Sequence, residues 1–537
     1  MPRYARDTHG NVLEICSVER PFSNFDFVEK EFSGLPSLRR IMSQVRLHGS
    51  KTMVVEELPD IAEDIAQEDA DIARYAGLTG TYAGICDSRV RRVSFFTKKF
   101  STPEEIAGIS DDEFLGYAIL KEDDVLGLGR SIRVFESVVR PNRHVANYIR
   151  GAQNWECAIA GTEFNTTGYL YAQQNNRTNV CAHVACRTAA ARFHKDGDMS
   201  YREMNQAIKA DHVKRKVDNG LSTDQMVTIL EAAGARCIVA DYTKYNGTPK
   251  PPFQKYLYGS IESGYPAIVC FRTRQRYHAI PLFGHTFNED TWVPNAGISY
   301  FRVGENMAYI PSEYWLSTYL SHDDNFGSNF CIPRDFLYTQ QRCPNKPKKA
   351  QPCDMEAECV AYVIATLPKN VKASPIAAEV AGADFLLNGI LTQMPHVAET
   401  WGTRLKYFAQ RNQLVLRAVL IDGEDYPKHL AKVSDWEGNT FKETQIKYLS
   451  PLAKEKKLWM IELSVPELFS ANHRKVGEVL IRAEVSEEPA RNFKCFVLAR
   501  LPGCFALYKG GGASKPQYGF ISNGVQGHVE LWGREQE

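Results

Sequence analysis

The chain has 537 residues, enough for about two to four domains at about 150 residues each. A hydrophobic content of 44% with 24% charged residues is that of a globular protein able to bury sizeable cores. Lys+Arg and Asp+Glu number 64 each, so the charge balance argues for neither nucleic acid nor an anionic membrane surface as a partner.

Residues 1–20 mix Arg, Asp and Glu without an apolar core and do not read as a signal peptide. No run approaches the roughly 18 apolar residues of a membrane span. The 13 cysteines are scattered from Cys16 to Cys504, which reads as reduced thiols in a cytoplasmic protein. Cys331, Cys343, Cys353 and Cys359 contain no CxxC pair and no histidine stands at ligand spacing, so no metal site and no cofactor are expected.

Residues 1–150 read as a mixed α/β module of unassigned role. Ile61, Ile65, Ile72 and Ala73 stand at mostly helical spacing, and 90–96, 114–120 and 132–139 are strand-like. From 151 to 340 the pattern gives a helix over 181–193, another over 199–207, and a third capped by Ser222 or Thr223 and ended by Gly234. A short strand at 237–240 and a helix at 256–263 follow, then strands at 267–271, 277–284 and 319–322. The Lys/Pro-rich stretch 341–354 reads as a linker. Beyond it, 355–537 reads as an α+β domain, opening with a strand at 357–367 and a helix at 375–391. Gly510, Gly511 and Gly512 suit a surface loop.

One stretch carries chemistry. The polar run from Gln173 to Asn179 leads into Cys181, which opens a helix of small residues. Unpaired N–H groups and the helix dipole push a thiol placed there toward thiolate, making Cys181 a candidate nucleophile. An upstream glutamine amide and the Cys181 N–H would form an oxyanion hole. Cys186, five residues on, points about 140° away and cannot share that cleft. His183 faces nearly opposite to Cys181. The candidate base is His278, on an apolar strand that would hold it rigidly. Asp323 or Asp324, at the end of a later strand, would orient the imidazole. His285 and His322 read as loop residues, solvated or hydrogen-bonded.

The runs QQNNRTNVCAHVACRTAAA, GLSTDQMVTILEAAGA, GYPAIVCF, YHAIPLFGH and SHDDNFG, in this order, resemble the papain-like cysteine peptidases of the C39-like branch. The resemblance covers about a third of the chain and implies an α+β fold, with a papain-like core flanked by the N- and C-terminal domains. It implies Cys181 as nucleophile, His278 as base, Asp323 (four residues before Gly327) as orienting acid, and Gln174 as oxyanion donor. Gln174 stands seven residues before Cys181, where the family has six, and Cys181 is followed by Ala182-His183 in place of Gly-Ala or Gly-Pro. An insertion at 288–317 is placed to form a lid or part of the cleft. The function implied is a peptidase acting on a protein or peptide substrate. An acyltransferase or transglutaminase-like enzyme and a non-catalytic scaffold are the alternatives.

Overall fold

The computed structural model describes residues 5–18, 23–77, 84–127, 129–141, 147–175, 178–210, 220–243, 250–272, 277–288, 308–335, 337, 359–392, 397, 399–451, 454, 457–511 and 517–534. The expected linker and most of the expected insertion, from 289 to 307, lie outside these residues, as does Gly512. Helices and strands mix throughout, an α+β architecture. The chain divides into two compact units: Met1–Lys244, Gly264–Gly284 and Tyr319–Thr366 in one, Tyr245–Ser263, His285–Thr318 and Leu367–Glu537 in the other.

The first unit opens with an antiparallel meander of Asn11–Ser17, Thr52–Glu57, Ile85–Phe96, Phe114–Val125 and Gly129–Val139. Successive side chains of a strand point to opposite faces. Val93, Phe95, Ala118 and Leu120 accordingly pack with Leu38, Ile41 and Val45 of the helix Pro36–Leu47. Tyr117, Ile119 and Phe135 turn the other way, against Trp155, Cys157 and Phe164 of the hairpin Gln153–Ile159 and Thr162–Gly168.

A second sheet runs in the spatial order Gly327–Pro333, Leu316–Asp323, Tyr277–Phe287, Ala267–Arg272, Cys359–Pro368, Ala235–Asp241. The helix Cys181–Ala190 lies on it through Ala185, Cys186 and Ala189, packed with Ile268, Cys270 and Ala279. Small side chains permit this close approach. The helix Thr223–Ala233 closes the same cluster with Met226, Ile229 and Leu230. Ser222 and Gln225 form its capping box, and Gly234, left-handed at φ 108°, ends it.

These units cut the chain elsewhere than the sequence pattern does. Residues 1–150 share a unit with the Cys181 helix because Arg187 on that helix reaches Glu136 of the meander, Nη2 to Oε2 2.7 Å, with both side chains buried. Cys359–Pro368, read as the opening of the C-terminal domain, pairs with Ala267–Arg272 in the second sheet (Ile268 opposite Ile364). An alternating apolar run specifies a strand but not its sheet. The helix Phe253–Glu262, read as part of the central domain, belongs to the second unit, where its Lys255 is buried between Glu313 (3.0 Å) and Glu379 (2.6 Å).

The second unit's sheet runs Ile310–Pro311, Val415–Asp422, Lys457–Ser464, Gly477–Arg482, Phe496–Leu501, Cys504–Gly510 and Gln517–Ser522. Four charges cross it in register, Arg417 opposite Glu462, Glu462 opposite Glu478, and Glu478 opposite Arg500. All are buried, and the like-charged neighbours are kept apart by cations. Lys475 Nζ stands 2.8 Å from Glu462 and 3.4 Å from Glu478, while Arg500 grips Glu478 with two bonds of 2.7 Å. Buried charges persist only when paired in this way. Among the described residues, no helix is long and apolar enough to cross a membrane.

Candidate active site

Cys181 is the first residue of its helix, and the N-cap residue Val180 contributes no side-chain cap. The first-turn N–H groups are therefore not satisfied by a capping side chain. The approach to the helix is fixed from within. Gln173 is buried, its Oε1 accepting from Ser37 Oγ (2.9 Å) and the Val134 N–H (3.1 Å), and Asn175 Oδ1 accepts from both the N–H and the hydroxyl of Thr178 at 3.0 Å. Gln173 is thus an anchor, and Gln174 is the glutamine that lines the cleft beside Cys181. Gln174 Nε2 donates to Asn325 Oδ1. A primary amide carries two N–H groups, so this bond leaves a second donor on the same nitrogen.

His278 stands near the start of the strand Tyr277–Phe287, and Leu316–Asp323 lies next to it in the sheet. That adjacency delivers both acids to the imidazole. His278 Nε2 is 3.3 Å from Asp323 Oδ2 and 3.4 Å from Asp324 Oδ1. The second ring nitrogen, Nδ1, is then the one these contacts leave for Cys181, which lines the same cleft. Burial disfavours the imidazolium, but the Asp323 bond, Cys181 and the Asp324 charge outweigh it and push the pKa up to about 11. Burial likewise works against the Asp323 carboxylate. The His278 bond and the N–H groups of Asn325 (2.8 Å) and Phe326 (3.0 Å) prevail and hold its pKa below the usual value.

Asp324 is the opposite case. Burial and the Asp323 charge push its pKa up to about 7 despite the attraction of His278, and its Oδ2 has no hydrogen-bond partner. A carboxyl raised in this way binds more protons folded than unfolded. Its contribution to stability therefore falls as pH climbs from the unfolded value of about 3.9 toward about 7. Asp324→Asn should then raise the melting temperature at about pH 8 and leave it nearly unchanged at about pH 4. Thermal unfolding at the two pH values checks this, and equal shifts at both would contradict it.

The cleft has a volume of about 1180 Å³ and is lined by Cys181, His278, Asp323 and Gln174 together with Phe271, Tyr277, Ile280, Phe326, Phe330 and Ile332. Cys186 is fully buried, and burial drives its thiol pKa well up, as the helix geometry requires. His183 is buried against Tyr75 and bonds Asn205 Oδ1 at 3.2 Å. His285 and His322 are buried strand residues, not loop residues, and the apolar sheet pattern explains both. His285 Nε2 lies 2.6 Å from Glu262. His322 bonds the Tyr169 carbonyl at 3.1 Å through Nε2 and accepts the Asn329 N–H at 3.0 Å, and burial lowers its pKa to about 4.

Two contributors escape sequence reasoning. Asn325 links Gln174 to the acids, its Nδ2 lying 3.4 Å from Asp324 Oδ1. Cys331 places a second, exposed thiol along the cleft. Neither carries a local signal, since each depends on strands brought together by the fold. Asn288, just past the end of the His278 strand, bonds the Trp315 carbonyl through its N–H (2.7 Å). No protein-family model matches the chain, and no curated protein or solved structure matches it either.

Proposed function

We propose that the chain is a cysteine hydrolase, most simply a peptidase of papain-like, C39-like type, acting on a protein or peptide substrate in a reducing, cytoplasmic compartment. The observation that carries this reading is that Cys181 at a helix start and the bonded pair of His278 and Asp323, the latter at a strand end, line one cleft. The ten cysteines described as free thiols suit the compartment.

In the proposed cycle Cys181 Sγ, as thiolate, attacks the scissile carbonyl carbon and a C–S bond forms. The oxyanion is held by the Cys181 N–H and the second N–H of Gln174 Nε2. As the intermediate collapses the C–N bond breaks, and the leaving amine takes the proton from His278 Nδ1. Water then loses a proton to His278 and attacks the thioester, the C–S bond breaks, and the acid product leaves. Asp323 keeps the imidazole's second N–H oriented throughout.

Incubation of the chain with a peptide library, read by mass spectrometry, tests the proposal. Wild type should release cleaved peptides, and Cys181→Ala should release none above background. Product carrying an added amine in place of water would make the enzyme a transferase on the same thioester. Identical output from wild type and Cys181→Ala would sink the reading in favour of a scaffold.

A further inference from the structure

Hydrolysis through a thiol needs one acid behind its histidine, and this site has two. Asp324 is 4% exposed, and its Oδ2 has no hydrogen-bond partner. Nothing in the cycle above uses it. The spacing of the three groups is informative in itself. A charge-assisted N–H···O bond is about 2.7–2.9 Å long. The separations from His278 Nε2 to Asp323 Oδ2 and Asp324 Oδ1 are 3.3 and 3.4 Å. Ligand atoms held at about 2.0–2.1 Å around a tetrahedral zinc ion stand about 3.3–3.4 Å apart, which is this spacing. One ligand atom from each of the three residues lies within 4.8 Å of the others, so a small carboxylate rotation closes the third edge. Asp323 is already braced for such a role, since its Oδ1 accepts the N–H groups of Asn325 and Phe326 and Oδ2 is left facing inward.

We propose that His278 Nε2, Asp323 and Asp324 form a binding site for a divalent transition cation of zinc type, and that the bound ion silences the thiol. One nitrogen with two carboxylate oxygens is a donor set for zinc and not for magnesium or calcium, which take oxygen alone. The cation would balance the two buried carboxylates. Binding stands on the geometry of the three residues; silencing rests on the hydrolase reading. With Nε2 committed to the ion, the ring keeps one proton, on Nδ1. It cannot pass that proton to a leaving amine without becoming an imidazolate, so turnover stops while the ion stays.

Zn²⁺ titration of the full-length Cys181→Ala chain by calorimetry tests binding without any contribution from the thiol. One ion per chain is expected, with affinity reduced at least about tenfold in Asp324→Asn and in His278→Ala on the same background. Co²⁺ added to the unsubstituted chain should give the visible absorption of a tetrahedral site, a readout that stands even where a variant folds poorly. Absence of stoichiometric Zn²⁺ binding, or binding that survives both substitutions, overturns the proposal. Peptide cleavage by the chelator-treated chain is scored separately, so a failed metal site and a failed hydrolase assignment give different results. If cleavage occurs, Zn²⁺ should suppress it and chelator restore it. Cleavage indifferent to saturating Zn²⁺ would remove the silencing role.

Discussion

Replacing His278 with alanine should slow alkylation of Cys181 by iodoacetamide by about tenfold near neutral pH, since a cation beside a thiol favours the reactive thiolate. The pH dependence should change as well. In the unsubstituted chain His278 keeps its proton up to about pH 11, so the imidazolium beside Cys181 persists across the neutral range. The pH profile of labelling in the unsubstituted chain should therefore be set by His278, and His278→Ala should change it. A rate profile that His278→Ala leaves unaltered would separate the histidine from the thiol.

The second large effect concerns stability and falls one turn and a half along the same helix. Arg187 bonds Asp198 with Nε (3.1 Å) and Nη2 (2.7 Å), and Nη2 also bonds Glu136 Oε2 at 2.7 Å. Glu136 is completed by Arg6 at 3.1 Å and the Tyr117 hydroxyl at 2.7 Å. Burial opposes the Glu136 carboxylate, but Arg6 and Arg187 outweigh it and hold its pKa below the usual value. Arg187→Met leaves two buried carboxylates to share Arg6 and should cost about 3–5 kcal/mol, the usual penalty for breaking a buried pair. Because the Glu136 pKa is depressed, this contribution is present above its unfolded pKa of about 4.3 and lost as pH falls through the folded value. Urea denaturation near neutral pH measures the loss, and a midpoint shift of less than about 1 kcal/mol would mean the network is not energetically coupled to folding.

What could be read from the sequence follows from how locally each signal is encoded. The helix Thr223–Ala233 was legible because Ser222, Gln225 and Gly234 specify its ends chemically, whereas of the strands Ile85–Phe96 and Phe114–Val125 only 90–96 and 114–120 were, because charged and polar residues fill the remainder of each. The helices Ser23–Phe32 and Pro36–Leu47 were not read, since Leu35 before the second offers no capping side chain and charged residues interrupt both faces. The hairpin Gln153–Ile159 and Thr162–Gly168 is polar along one face and turns at Ala160 and Gly161 without a strong turn signal. At the site, chemical type and chain order mark Cys181 and His278, with Asp323 or Asp324 after them, and the structure brings Cys181, His278 and Asp323 to one cleft. Asp324 could not be separated from Asp323 in advance because neighbouring residues at a strand end share no fixed facing. In the fold both reach the same ring nitrogen.

The most direct test is competition between two thiols of the same cleft in one reaction. Cys331 is exposed and serves as the internal reference, whereas Cys181 is only partly exposed. Limiting iodoacetamide near neutral pH, followed by peptide mapping, should find Cys181 alkylated at least about tenfold faster than Cys331 despite its lower exposure. Cys186→Ala should leave that ratio unchanged, and Cys181→Ala should remove the fast component. Alkylation that follows exposure alone, with Cys331 ahead of Cys181, would contradict the assignment of Cys181 as an activated nucleophile.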